Sequence, residues 1–210
     1  MKPRYLLFIP LLLLPLMVAL AIDARDIIEN VQERYDDIDD AVITFSQSVR
    51  FKVSKAEQTV HGTLFFKKPK MYRIETEERT VVTDGKTSWS WNPRNRQLIV
   101  DNYREETHAL SPEQLLLNYP KEYYSTLIGE ETLGGIATYV LKLSPKEDNA
   151  FATAMKIWVS KDWLIRQVEI TDVNGAVTIY RIEKVSIDQK IPDTKFKYNV
   201  PDKAEVIDLR

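Results

Sequence analysis

The stretch AVITFSQSVRFKV, Ala41 to Val53, sets the fold. Ile43, Phe45, Val49, Phe51 and Val53 alternate with Thr44, Ser46, Ser48, Arg50 and Lys52, and only Gln47 interrupts the apolar side. A period of two over this length predicts a long, half-buried strand. The same period recurs downstream at Val60, Leu64 and Phe66, at Tyr72 and Ile74, at Val81 and Val82, at Trp89 and Trp91, and at Leu98 and Val100. Asp84-Gly85 reads as a two-residue hairpin turn of type I′, and Pro69 and Asn92-Pro93 mark further breaks. After residue 120 come Thr126 to Thr132, the Gly134-Gly135 turn, Tyr139 to Leu143, Met155 to Val159, Leu164 to Ile170, and, beyond Asn174-Gly175, Val177 to Ile187. Ten to eleven short strands at this spacing predict a mainly β fold with some α: a large antiparallel sheet curled into an incomplete barrel.

Two helical segments interrupt the strands. Ile27, Val31, Tyr35 and Ile38 recur at helical spacing, so residues 25 to 38 read as an amphipathic helix laid on an apolar surface. In the middle of the chain, Ser111-Pro112-Glu113-Gln114 supplies an N-cap, a first-turn proline and a capping box. The apolar block Leu115, Leu116 and Leu117 follows, and Pro120 stops it. This insert predicts a short lid helix against the inner face of the sheet.

The chain opens with Lys2 and Arg4, an apolar run from Leu6 to Leu20 broken by Pro10 and Pro15, and the small-x-small pattern Ala19-Leu20-Ala21. That arrangement predicts an export signal over residues 1–21, cleaved near Ala21, followed by one domain over 22–210. The expected location is outside the cytoplasm. The sequence contains no cysteine, so stability must come from the core rather than from disulfides. A net charge of −2 disfavours nucleic acid as a partner.

Residues suited to catalysis are scarce. His61 and His108 are the only histidines, and His61 sits between Thr59 and Thr63 on the polar side of a strand. No nucleophile elbow, phosphate-cradling glycine loop or metal-spaced His/Cys cluster occurs, so no enzyme, cofactor or metal site is expected. Paired acids such as Asp36-Asp37, Asp39-Asp40, Glu77-Glu78 and Glu105-Glu106 read as solvated charge at turns and element ends. The candidate site is instead an apolar concavity lined by Phe45, Phe51, Leu64, Phe66, Tyr72, Ile74, Trp89, Trp91, Leu98 and Val100, with Leu115 and Leu116 of the lid. A sheet of this many strands is wide enough to leave a ligand space.

The run Gly62-Thr63-Leu64-Phe65-Phe66-Lys67-Lys68-Pro69-Lys70-Met71-Tyr72-Arg73 is followed by Val82-Thr83-Asp84-Gly85-Lys86-Thr87-Ser88-Trp89-Ser90-Trp91-Asn92-Pro93. Together with Phe45-Ser46-Gln47 and Phe196-Lys197-Tyr198-Asn199-Val200-Pro201, it resembles the periplasmic outer-membrane lipoprotein carrier family, LolA. The resemblance spans essentially the whole chain after the leader. It implies a periplasmic, monomeric carrier that holds the acyl chains of lipoproteins in a cavity. Such a carrier takes them from an inner-membrane ABC releasing complex to an outer-membrane acceptor. It also implies a gate at the residue before the proline, an arginine in the family pattern and Lys68 here, which lacks the planar five-donor fork. A carrier of free lipids or glycolipids and an envelope-stress lipid sensor are the alternatives the same resemblance allows.

Overall fold

The computed structural model describes residues 22–104, 123–146 and 152–210. The expected export signal and the expected lid helix with Leu115, Leu116 and Leu117 lie outside the described residues.

The first element is α1 (Ala24–Asp36). Asp23 starts it: its carboxylate accepts the backbone N–H groups of Arg25 and Asp26, while the Asp26 side chain accepts the N–H of Asp23. This reciprocal cap satisfies donors that the first helical turn leaves unpaired. Ile27, Val31 and Tyr35, spaced four apart, are its buried stripe.

Among the described residues, twelve strands then form one curled, unclosed sheet. In chain order they are β1 (Asp40–Arg50), β2 (Glu57–Lys67), β3 (Met71–Thr76), β4 (Thr80–Thr83), β5 (Thr87–Asn92) and β6 (Gln97–Asn102). The second half comprises β7 (Tyr123–Leu133), β8 (Ile136–Pro145), β9 (Ala152–Ser160), β10 (Ile165–Asp172), β11 (Val177–Ile187) and β12 (Glu205–Asp208). Across the sheet the order is β12-β6-β5-β4-β3-β2-β1-β11-β10-β9-β8-β7, so β1 and β11 join the two halves at the centre.

Two details differ from the expectation. The sheet has a twelfth strand, and it is parallel: Glu205 to Asp208 lie along Gln97 to Val100 of β6. Four residues carry too short an alternation to announce a strand, and its partner lies about a hundred positions upstream. The Asp84-Gly85 connection is also not a two-residue type I′ turn. β4 ends at Thr83 and β5 starts at Thr87, and of these loop residues only Gly85 has positive φ. The Asp84 carboxylate accepts the N–H groups of Lys86 and Thr87, an Asx arrangement that holds the loop with a side chain.

α1 lies on the inner face. Its Ile27 and Val31 pack with Tyr123, Leu141, Leu143, Met155, Ile157, Val159, Val168 and Ile170 from β7 to β10. Tyr35, with Ile38 just beyond the helix, packs on Ala41 and Phe66, and the Tyr35 and Phe66 rings are 5.4 Å apart. One helix thus ties both halves of the sheet together. Asp40, expected as solvated charge, is instead only 4% exposed and accepts the backbone N–H groups of Gln189 at 2.7 Å and Ile191 at 3.1 Å. It pins the start of β1 to the segment that leaves β11. Burial of a carboxylate is tolerated there because both bonds come from donors that β pairing leaves free.

Candidate functional site

Strand register decides which side chains share a face, since residues directly opposite on paired strands point the same way. One row runs Ala41, Phe66, Tyr72, Thr83, Ser88 across β1 to β5, and the next runs Ile43, Leu64, Ile74, Val81, Ser90, Ile99 across β1 to β6. Phe45 stands opposite Gly62. Because Ala41 and Phe66 pack under Tyr35, these rows belong to the inner face. Of the expected cavity residues, the structure therefore brings Phe45, Leu64, Phe66, Tyr72 and Ile74 together.

It does not bring Trp89, Trp91 or Leu98 to that face, nor Val100. The row Phe65, Arg73, Val82, Trp89, Val100 and the row Thr80, Trp91, Leu98 lie on the outer face. That face is apolar for its own reason: the chain returning from β11 crosses it. A 3₁₀ turn at Asp193–Phe196 contacts β3, and Phe196 is fully buried. Tyr198 lies 6.5 Å from Trp91 ring to ring, Arg73 sits over Tyr198, and Lys195 sits over Phe65. Lys67 donates to the Ile191 carbonyl and pairs with Asp193, while Glu75 binds Arg73 and Lys195. Burial alone would raise the Glu75 carboxyl, but the two cations outweigh it and hold it below the usual carboxylate range. With both faces covered, aromatic alternation alone could not tell inside from outside. Phe51, expected in the cavity, sits past the end of β1 in an exposed loop.

Close packing at Gly62 shapes the inner wall. A Cβ at this position would stand 2.6 Å from Phe45 Cζ and 3.0 Å from the Glu75 carbonyl oxygen. Glycine lets the Phe45 ring approach the β2 backbone closely. On its other side Phe45 meets Tyr180 of β11 at 6.4 Å. Burial pushes the Tyr180 phenol up to about 12, against a smaller opposing pull from Arg79. Tyr180 also packs on the cluster under α1, so it links the two halves of the wall. Ile43, Val81 and Tyr180 are wall residues that the sequence reading missed. Ile43 alternates with Phe45 on the apolar side of β1, whereas Val81 and Tyr180 are placed by the register of the neighbouring strands.

Leu64 packs on the edge of the cluster under Tyr35, and Leu64, Ile74 and Val81 remain half-buried. The other rim of the helix borders a groove of about 850 Å³ between its first turns and β7, lined in part by Ile22, Arg25, Ile28, Tyr123, Leu127 and Lys146. Charged and polar residues, Asp23, Glu29, Gln32, Ser125 and Thr126 among them, share the lining of that groove, so the more apolar stretch of the inner face is the one at Leu64, Ile74 and Val81.

Lys68, the expected gate, points at the end of α1. Its Nζ donates to the carbonyl oxygens of Tyr35 and Asp36, each at 2.7 Å, and lies 4.8 Å from the centre of the Tyr35 ring. It adds a charged donor at the negative end of the helix dipole, where the Tyr35 carbonyl also accepts the Ile38 N–H at 3.1 Å. The lid it was expected to hold lies outside the described residues. Elsewhere, His61 is exposed and faces Glu183 at 3.2 Å.

Among the described residues, one helix lies on the apolar inner face of a curled, unclosed sheet. The family model described as Outer membrane lipoprotein carrier protein LolA matches residues 37–199. An outer-membrane lipoprotein carrier protein of Histophilus somni strain 2336 is 24% identical over 186 residues, covering 87% of this chain and 88% of the relative. One from Glaesserella parasuis serovar 5 is 25% identical over 191 residues, covering 90% and 88%. Among solved structures, an uncharacterized conserved protein from Thermus thermophilus superposes with a TM-score of 0.56 at 14% identity, covering 88% of this chain and 98% of that one. The chain belongs to the LolA family of outer membrane lipoprotein carrier proteins. Family membership supports a role in carrying lipoproteins or lipids.

Proposed function

We propose that this protein binds the acyl chains of lipoproteins on its inner face and shuttles them across the periplasm. The observation that carries the reading is the half-buried apolar row Leu64, Ile74, Val81, flanked by Phe45 and Tyr180 and running on from the edge of the cluster under Tyr35. Each methylene that such a wall takes from water contributes about 0.8 kcal/mol, so acyl chains suit it better than polar ligands do. Aliphatic and aromatic walls grip by contact area rather than by directed bonds. That favours chains of varied length and easy release to a second apolar surface.

In this reading the protein is a non-enzymatic carrier. It receives cargo from an inner-membrane ABC releasing complex and yields it to an outer-membrane acceptor. Mass spectrometry of the species that co-purify with the protein from the periplasm tests it. A triacylated lipoprotein supports the shuttle. Free lipid or glycolipid alone replaces it with a lipid carrier, and an empty protein under gentle extraction removes it.

A further inference from the structure

We propose that two neighbouring hairpin tips form a docking surface for an anionic lipid bilayer. Arg50 at the end of β1 is paired with Glu57 of β2 on one side and with Val177 of β11 on the other. The β1–β2 tip (51–56) and the β10–β11 tip (173–176) therefore emerge side by side. They touch: a Cβ on Gly175 would lie 2.7 Å from Lys52 Cδ, so the lysine stem rests on the second turn.

The residues at these tips are apolar where nothing in the fold requires it. Val53 is 95% exposed, Val173 67% and Phe51 45%. They sit at hairpin tips with large exposed fractions, which suits insertion into a yielding surface. Lys52 and Lys55 flank them, exposed and without an ion-pair partner among the described residues. The acids nearby are engaged: Glu57 faces Arg50 and accepts from Ser48, and Asp172 accepts the N–H groups of Asn174 and Ala176. A positive, apolar tip on a chain of net charge −2 complements anionic headgroups above acyl chains. Lysines of this kind reach headgroup phosphates while their stems and the apolar neighbours enter the interface. No described helix is long and apolar enough to cross a membrane.

The inference does not depend on what the inner face carries. The sequence holds no cysteine, so Ser54→Cys in the full chain accepts a single environment-sensitive dye at the tip. The expected result with vesicles of phosphatidylglycerol and phosphatidylethanolamine is a blue shift of the dye, with little response to phosphatidylcholine alone. Lys52→Glu with Lys55→Glu should weaken the response at least tenfold, and Val53→Asp should abolish it. Each variant should keep the parent's melting temperature, because these side chains are exposed. A dye that stays aqueous with anionic vesicles overturns the proposal, as does one that responds only to an isolated membrane protein. An equal response to neutral vesicles, unchanged by the lysine variants, overturns the anionic specificity.

Discussion

The Phe45 ring occupies the space that a side chain on Gly62 would need. Phe45 is buried between β2 and Tyr180, so the ring cannot swing away freely, and the Glu75 carbonyl closes the other direction. Gly62→Ala should therefore cost about 1–3 kcal/mol through overpacking, read as a lower midpoint in urea. Ligand binding should fall with it, because the displaced ring enters the apolar wall. An unchanged midpoint would show that the wall yields at this point.

Register separates two groups of aromatics that look alike in sequence, and a pair of substitutions tests that separation. Ile74→Glu places a carboxylate on the inner face and should abolish uptake of a fluorescent fatty acid, since an unpaired charge in an apolar site is strongly unfavourable. Trp91→Ala, on the outer face beside Tyr198, should loosen the returning C-terminal segment and lower the melting temperature while leaving uptake intact. The reverse pattern would mean that the two faces have been exchanged.

Lys68 bonds two terminal carbonyls of α1, so its loss should be felt in stability before it is felt in transport. Lys68→Leu should cost about 1–2 kcal/mol in chemical denaturation, the magnitude of a charged group at a helix C-terminus. Lys68→Arg should recover part of it. If Lys68→Leu leaves the midpoint in place and changes only the rate of cargo release, the gating role belongs to this residue after all.

Tyr180 makes stability depend on alkaline pH. Its folded pKa of about 12 lies above the ordinary value of 10.0, so the folded form holds its proton where the unfolded form has begun to lose it. Its contribution is complete below pH 10 and disappears as pH rises from 10 towards 12. Thermal melts across that range should fall more steeply for the parent than for Tyr180→Phe. Absorbance of tyrosinate near 295 nm should show one late-titrating residue that this variant lacks.

Much of the architecture was legible because period-two alternation, as in Ala41 to Val53, is a direct consequence of a sheet with one face against a core. β11 was read with its observed ends, and α1 to within a residue at its start. The site was only half legible. Trp89 and Trp91 alternate as cleanly as Leu64 and Phe66, yet a three-residue loop at 84–86 and a distant segment crossing the back of the sheet put them on the other side. Face assignment depends on loop parity and on long-range cover, neither of which a local pattern contains. The same holds for Asp40, whose partners Gln189 and Ile191 lie about 150 positions away in sequence.

β6 and β7 follow one another in the chain but stand near opposite edges of the twelve strands, and among the described residues no pairing seals β7 to β12. A closed cylinder of fixed strand number has a fixed bore, because strand count and stagger together set its diameter. An unsealed one has a seam. Nothing in its pairing fixes its girth, so in the proposed carrier one scaffold would suit guests of unequal thickness without unzipping a strand.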